Sequence, residues 1–113
     1  MSRANLKINL GEKQPAEVLD WKIILTRSLD ADRTIASIED VTVARTDATE
    51  ETPALLVSGG DLPAPALADA GTAVIFWTAA GTPGARYKIS FQLEGSDGDL
   101  ILEVDCFLSV REV

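Results

Sequence analysis

The side chains of this 113-residue chain that could carry out chemistry are its carboxylates and one thiol. The sequence has 18 Asp and Glu, one cysteine and no histidine. Without histidine, the Ser-His and Cys-His arrangements that activate a nucleophile are excluded, and one cysteine cannot build a common zinc site. Two carboxylates at the right separation suffice for glycoside hydrolysis. Most of these acids, however, fall in predicted turns or on polar strand faces, where solvation explains them. The sequence therefore predicts no enzyme and no catalytic, cofactor-binding or metal-ligating residue.

Two weaker chemical candidates remain. The segment Glu94–Asp99 brings oxygen ligands together at a spacing that could hold Ca²⁺. It lacks the full twelve-residue calcium loop, and its Asp-Gly pair is also an ordinary hairpin signal. Cys106 has no partner for a disulfide within the chain, and it shares its strand face with core residues. A buried, unreactive thiol is the expected state of Cys106.

The elements that would position these groups are strands. In the last third of the chain, apolar and polar residues alternate over 87–94 and again over 100–111, which predicts two half-buried strands joined by a turn at Gly95–Gly98. Shorter alternating runs predict strands earlier in the chain, at 6–10, 19–25, 35–45 with a bulge near Ser37, and 54–58. The apolar run Thr72–Thr78 is typical of a strand buried on both sides. The segment Gly59–Gly71, rich in proline and glycine, is predicted to be a connection rather than a sheet element.

About seven short antiparallel strands in one chain of this length predict an all-β protein with an immunoglobulin-like β-sandwich fold. We expect residues 1–12 to form an N-terminal arm or first strand, and residues 13–113 to form the sandwich. Tyr87 follows the turn Gly81–Gly84 and is predicted to form a tyrosine corner, in which its hydroxyl bonds to the backbone just upstream. The alternative is that Tyr87 is merely the first core-facing residue of its strand.

Composition limits the partners. The net charge is −8 and the ten Lys and Arg residues are scattered, so the basic stripe of a nucleic-acid-binding protein is missing. The first residues lack the apolar stretch of a signal peptide, and no apolar run is long enough to span a bilayer. We expect a soluble protein made in a reducing cytoplasm, with no nucleic-acid or membrane partner.

Three segments resemble the bacteriophage fibre-tail adaptor family, which consists of small virion proteins of tailed phages. Residues Lys13–Trp21 are similar to its Lys-Asp-Pro-x-x-Val-Leu-Asp-aromatic opening. Residues Asp32–Ser37 resemble its Asp-Thr-Ile-Ala-Ser element. The run Thr72–Trp77, continuing through the glycine turn to Tyr87 and Ile89, resembles its strand, turn and closing hairpin. The family's tryptophan after Ile-Ala-Ser is missing here.

The resemblance implies a structural, non-catalytic role: an adaptor that joins fibre or peripheral proteins to the tail or baseplate. It implies virion proteins of the tail, baseplate, fibre or neck as partners, a homo-oligomer in the particle, and assembly in the host cytoplasm. Two alternatives are a capsid decoration protein and an immunoglobulin-like module that binds carbohydrate or a surface. Few aromatic residues are available as sugar platforms, which weakens the carbohydrate alternative.

The expected contact regions are the N-terminal arm Met1–Lys7, the acidic loop Asp47–Thr52 and the segment Gly59–Gly71. Aromatic side chains dominate binding hot spots, so an exposed Trp77 would be a good anchor. The favoured interpretation, however, places Trp77 in the core opposite Trp21.

Overall fold

The backbone of the computed structural model is extended over most of the residues it describes, which are 2–25, 34–47, 54–57, 62–96 and 100–111. The strands are β1 (Ser2–Lys13), β2 (Leu19–Ile24), β3 (Ile35–Arg45), β4 (Leu55–Leu56), β5 (Ala66–Ala68), β6 (Ala73–Ala80), β7 (Arg86–Gly95) and β8 (Leu100–Val110). A single 3₁₀ turn, Asp69–Gly71, precedes β6. Within the described part of the chain, no helix is long and apolar enough to cross a membrane. The predicted all-β class is confirmed.

The strand count differs from the expected seven because β5 lies inside the segment predicted to be a connection. Ala66–Ala68 pairs with Ala73–Ile75 of β6, and Leu67 turns inward to contact the core. The prediction that Gly59–Gly71 contains no sheet element is therefore wrong. The prolines and glycines that suggested a loop lie before and after this short strand, which contains neither.

The large sheet has the order β1-β8-β7-β3. The β7–β8 pair is the predicted antiparallel hairpin, with register from Arg86↔Ser109 to Glu94↔Ile101. β1 runs parallel to β8, so the expectation of an entirely antiparallel sandwich is wrong. Since the chain visits both sheets between β1 and β8, no tight hairpin fixes their relative direction. β1 also continues past Gly11, its predicted end, through a register shift between Asn9 and Gly11.

β3 closes the other edge of the large sheet, and its bounds coincide with the predicted ones. Its register against β7 shifts between Ile35 and Ser37 and again between Ile38 and Asp40. The bulge predicted near Ser37 is confirmed, and a second one follows. Bulges at an exposed edge disrupt the row of backbone groups that another strand would need for pairing.

The small sheet has the order β2-β6-β4, with β5 also paired to β6. Val74, Phe76 and Thr78 of β6 are buried on the inner face. Ile75 and Trp77 point to the outer face and are only half-buried. The expectation that this strand is covered on both sides is met on one side only.

The core lies between the two sheets. Phe76 from the small sheet and Phe91 from the large sheet meet with ring centroids 4.9 Å apart and planes tilted by 55°, a separation typical of favourable aromatic pairs. The β7 and β8 residues predicted to face inward are buried: Tyr87, Ile89, Phe91, Leu93, Leu100, Leu102, Val104, Cys106, Leu108 and Val110. Alternation therefore identified the inner face of the central hairpin.

Tyr87 closes one end of this core. Its side chain is fully buried, and its hydroxyl accepts a hydrogen bond from the backbone N–H of Thr82 at 3.1 Å. The turn that contains Thr82 is itself held to β8, because the N–H of Gly84 donates to the carbonyl of Val110 at 2.7 Å. The predicted bond between the hydroxyl and the upstream backbone is confirmed, with an N–H as the backbone group.

Candidate contact surfaces

The outer face of the large sheet is polar and surrounds one buried carboxylate, Asp105. Ser90 donates from Oγ to Oδ1 of Asp105 at 2.8 Å, and Asn5 donates from Nδ2 to Oδ2 at 3.3 Å. Lys88 Nζ lies 4.0 Å from Oδ2. Burial alone would raise the pKa of Asp105, but these partners outweigh burial and hold the pKa below its ordinary value. The carboxylate thus joins β1, β7 and β8 as a structural anion.

Two carboxyl groups, from the exposed Glu39 and the half-buried Glu94, meet where β3 lies beside β7. A hydrogen bond from Ser37, followed by one with Glu94, lowers the pKa of Glu39. The hydrogen bond with Glu39 and the negative charge of that residue raise the pKa of Glu94. Such a pair can share a proton, as general acid–base catalysts do. Both groups, however, lie on an open strand face rather than in a cleft that could hold a substrate.

Lys13 is a buried cation at the end of β1, with 2% of its surface exposed. Its Nζ donates to the carbonyls of Gln14 at 2.6 Å, Ala80 at 2.7 Å and Pro15 at 3.4 Å. Burial lowers the pKa of Lys13, and the charge of Glu17 opposes this shift only in part. Because Ala80 ends β6, the Lys13 side chain attaches the first strand of the large sheet to the small sheet.

Trp77 lies on the outer face of the small sheet. The register pairs Trp77 with Asp20 and pairs Trp21 with Phe76. Trp21 points inward, and its Nε1 donates to Oγ1 of Thr78 at 2.9 Å. The prediction that Trp77 is a core residue opposite Trp21 is therefore wrong, because an offset of one residue in a strand exchanges the two faces. A large aromatic side chain is left half-buried at the surface.

Further apolar side chains share this outer face. Ile24 of β2 is 63% exposed and Leu56 of β4 is 45% exposed, while Ile75 of β6 is half-buried. These residues were not predicted as a group, although the sequence contains a signal for them. Ile24 occupies a position of its strand at which the alternation predicts a polar, outward residue. Ile75 belongs to an apolar run in which neither set of alternating positions is mainly polar.

The three expected contact regions differ in how much of each the structure describes and in the elements they form. Met1–Lys7, from its second residue on, is part of β1 and pairs with β8 rather than forming a free arm. Of Asp47–Thr52, only Asp47 is described, and the rest of the acidic loop lies outside the described residues. Of Gly59–Gly71, residues 62–71 are described, and they include β5 and the 3₁₀ turn.

Cys106 is fully buried, as predicted, and burial followed by the charge of Asp105 raises its pKa to about 12. A thiol with such a pKa is a poor nucleophile at neutral pH. Residues 97–99 of the proposed calcium loop lie outside the described residues, so calcium binding at Glu94–Asp99 stays a hypothesis. Among the residues described, no three Cys, Asp or Glu side chains cluster as a metal site would require.

Comparison with known proteins identifies a family that this chain matches. A protein-family model described as "Podophage GP4 fiber-tail adaptor protein gp77" matches residues 13–109. This range begins with the last residue of β1 and ends one residue before the end of β8, so it takes in strands of both sheets. No curated protein and no solved structure matches the chain.

Proposed function

Because the chain belongs to the podophage GP4 fiber-tail adaptor family, we propose that it is a virion protein that joins fibre or other peripheral proteins to the tail or baseplate. The family match over residues 13–109 is the observation that carries this proposal. The mostly polar outer face of the large sheet and the apolar outer face of the small sheet support it, since an adaptor needs surfaces of different chemistry for different partners.

The proposed role is structural. The partners are other virion proteins of the tail, baseplate, fibre or neck, and several copies of the chain associate in the particle after assembly in the host cytoplasm. The chain acts without catalysis or a cofactor. In support, the Glu39–Glu94 carboxyl pair lies on a strand face rather than in a cleft, and Asp105 is occupied by structural hydrogen bonds.

We propose an immunoglobulin-like topology for the sandwich. If the short strands β4 and β5 are counted as one, the third, sixth and seventh strands form one sheet and the second, fourth and fifth form the other. This corresponds to the C-F-G and B-E-D groups of an immunoglobulin domain. Tyr87 at the start of the sixth strand, bonded to the preceding corner, adds to the correspondence. On this proposal residues 1–12 are an added first strand and residues 13–113 are the sandwich.

The test is to locate the chain in the particle. Phage carrying a nonsense mutation in this gene should produce filled heads and tails that lack fibres, and addition of the purified protein should restore fibre attachment. Electron cryo-microscopy of wild-type particles should place the sandwich between tail and fibre. Density for the chain on the capsid surface, with fibres retained in the mutant, would instead identify a decoration protein.

A further inference from the structure

The outer face of the small sheet has an unusual composition for a surface. An antiparallel sheet with one face on the core normally presents polar side chains on the other face. Here the outward positions of β6 and its neighbours β4 and β5 are all apolar: Leu56, Ala66, Ala68, Ile75, Trp77 and Ala79, together with Ala73, which is fully buried. We refer to this surface, together with the outward residues of β2, as the small-sheet face.

Among the residues that the structure describes, several large side chains of the small-sheet face are exposed. Ile24 is 63% exposed, Leu56 is 45% exposed, and Val18, just before β2, is 60% exposed. The sequence of β6 has the composition of a strand covered on both sides, yet Trp77 and Ile75 are only half-buried. Large apolar groups rimmed by polar ones mark interaction sites on proteins of this size.

Among the described strand residues that define the small-sheet face, the charged ones are Asp20 and Lys22 of β2, and their charges have opposite signs. Asp20 lies beside Trp77, and Lys22 lies beside Ile75 in the next row of the register. The two rows are two residues apart along the strands, which is about 7 Å. Lys22 also forms an ion pair with Asp69 at 2.7 Å, and both side chains are about half exposed to solvent.

We propose that the small-sheet face binds the same face of a second copy of this chain. The two-fold axis that relates the copies crosses the strands midway between the Asp20–Trp77 row and the Lys22–Ile75 row. A two-fold interface must be self-complementary. If one residue of the first copy contacts a second residue of the other copy, the same two residues also meet with the copies exchanged. This axis places Asp20 of each copy opposite Lys22 of the other. It also places Trp77 opposite Ile75, and Ile24 opposite Val18, across the interface.

The proposed arrangement agrees with the charges. Lys22 Nζ has three donors, so it can keep its bond to Asp69 and gain one to Asp20 of the second copy. Two sheets packed face to face lie about 10 Å apart, which leaves room for the tryptophan between them. The match of acid to base is a property of this chain alone, and it favours a second copy over an unrelated partner.

The expected affinity is modest. Three strands about 4.8 Å apart and about 20 Å long present roughly 300 Å² in projection, whereas a standard stable interface buries about 800 Å² per partner. The contact is therefore suited to an assembly in which many copies are held together, where weak contacts add through multivalency. The inference rests on the proposed self-association within the virion and names the surface that performs it.

The test uses charge reversal in the purified full chain, with sedimentation equilibrium over a concentration series up to the millimolar range. Asp20→Lys places lysine opposite Lys22 of the second copy, and Lys22→Asp places two acids opposite each other. Each single reversal should weaken self-association by at least about tenfold, since like charges facing each other are costly. The double variant D20K/K22D restores opposite charges across the interface at the wild-type net charge. Because it also sets the new carboxylate at position 22 against Asp69 in its own chain in place of the wild-type ion pair, it should recover only part of the affinity but bind clearly more tightly than either single reversal.

A matched control is Thr42→Lys, which adds positive charge at an exposed position of β3 in the other sheet. It should leave self-association unchanged, and thermal melts should show that all variants fold. A wild-type chain that stays monomeric throughout the series, or a double variant no better than the singles, overturns the interface. If phage carrying Asp20→Lys retain fibres and the normal copy number, the interface is again overturned while the adaptor role stands. Particles without fibres in which the double variant restores attachment support both.

Discussion

At the scale of single residues, two buried charged groups of this protein work as structural connectors. Lys13 bridges the two sheets through backbone carbonyls, and Asp105 joins three strands through Ser90, Asn5 and Lys88. Buried polar groups are tolerated when they are hydrogen-bonded, and both residues meet that condition. The chain thus uses charge inside its architecture as well as on its surface.

Replacing Lys13 by methionine should lower the free energy of unfolding by about 1–3 kcal/mol at pH 7, because the carbonyls of Gln14 and Ala80 lose a charged donor. Urea denaturation measures this value. Lys7→Met is the matched control, since Lys7 is exposed on the same strand and should tolerate the change.

The same pair of variants gives a pH test. The pKa of Lys13 is lowered in the folded protein, so the native state loses this proton at a lower pH than the unfolded state does. Between the lowered pKa and the ordinary value of 10.5, the unfolded state binds more protons, and stability from this group rises with pH. The wild-type advantage over K13M should therefore grow in that window. A constant or shrinking advantage would contradict the assignment.

At the scale of elements, alternation in the sequence predicted the strands well and their faces less well. β7 and β8 alternate cleanly, so their inner faces were predicted residue by residue. In β6 neither set of alternating positions is mainly polar, so nothing in its sequence distinguished the Phe76 side from the Trp77 side. The register with β2 shows which of the two sides faces the core. The parallel direction of β1 was not predictable either, because no turn connects it to β8. The candidate surface was missed because it combines a few residues from each of four strands, which come together only through the register.

One contact between elements gives a sharp prediction. A Cβ added to Gly71, at the end of the 3₁₀ turn, would lie 2.6 Å from the carbonyl oxygen of Ile35 in β3. Gly84 has nearly the same φ, +85° against +87°, but open space around it. Gly84→Ala should cost about 1 kcal/mol through backbone strain alone. Gly71→Ala should lower the free energy of unfolding by at least about 2 kcal/mol more than Gly84→Ala does, because the backbone of β3 at Ile35 must move to make room for the new Cβ. Equal melting temperatures for the two variants would contradict this prediction, because they would show that β3 can move away from the new Cβ without loss of stability.

At the scale of the whole molecule, the net charge of −8 opposes any association between copies. This repulsion acts over tens of ångströms and is screened by salt, whereas contacts within about 4 Å are screened much less. Self-association should therefore strengthen as NaCl rises from about 20 mM to about 150 mM. Sedimentation at each salt concentration measures the trend, and D20K/K22D, with an unchanged net charge, should follow it. Weakening of the wild-type association over this range would show that the local ion pairs outweigh the long-range repulsion.

The parallel alignment of β1 and β8 also has a mechanical consequence. Ser2 lies beside Leu100 and Lys13 beside Val110, so a pull on the start of β1 and on the end of β8 draws the two strands in opposite directions along their length. Such a load is shear, and it is shared among all the backbone bonds of the pair instead of opening them one after another. The sandwich is thereby built to resist a pull applied between the start of β1 and the end of β8, a property that suits the adaptor role proposed above, in which a tethered fibre would load the chain.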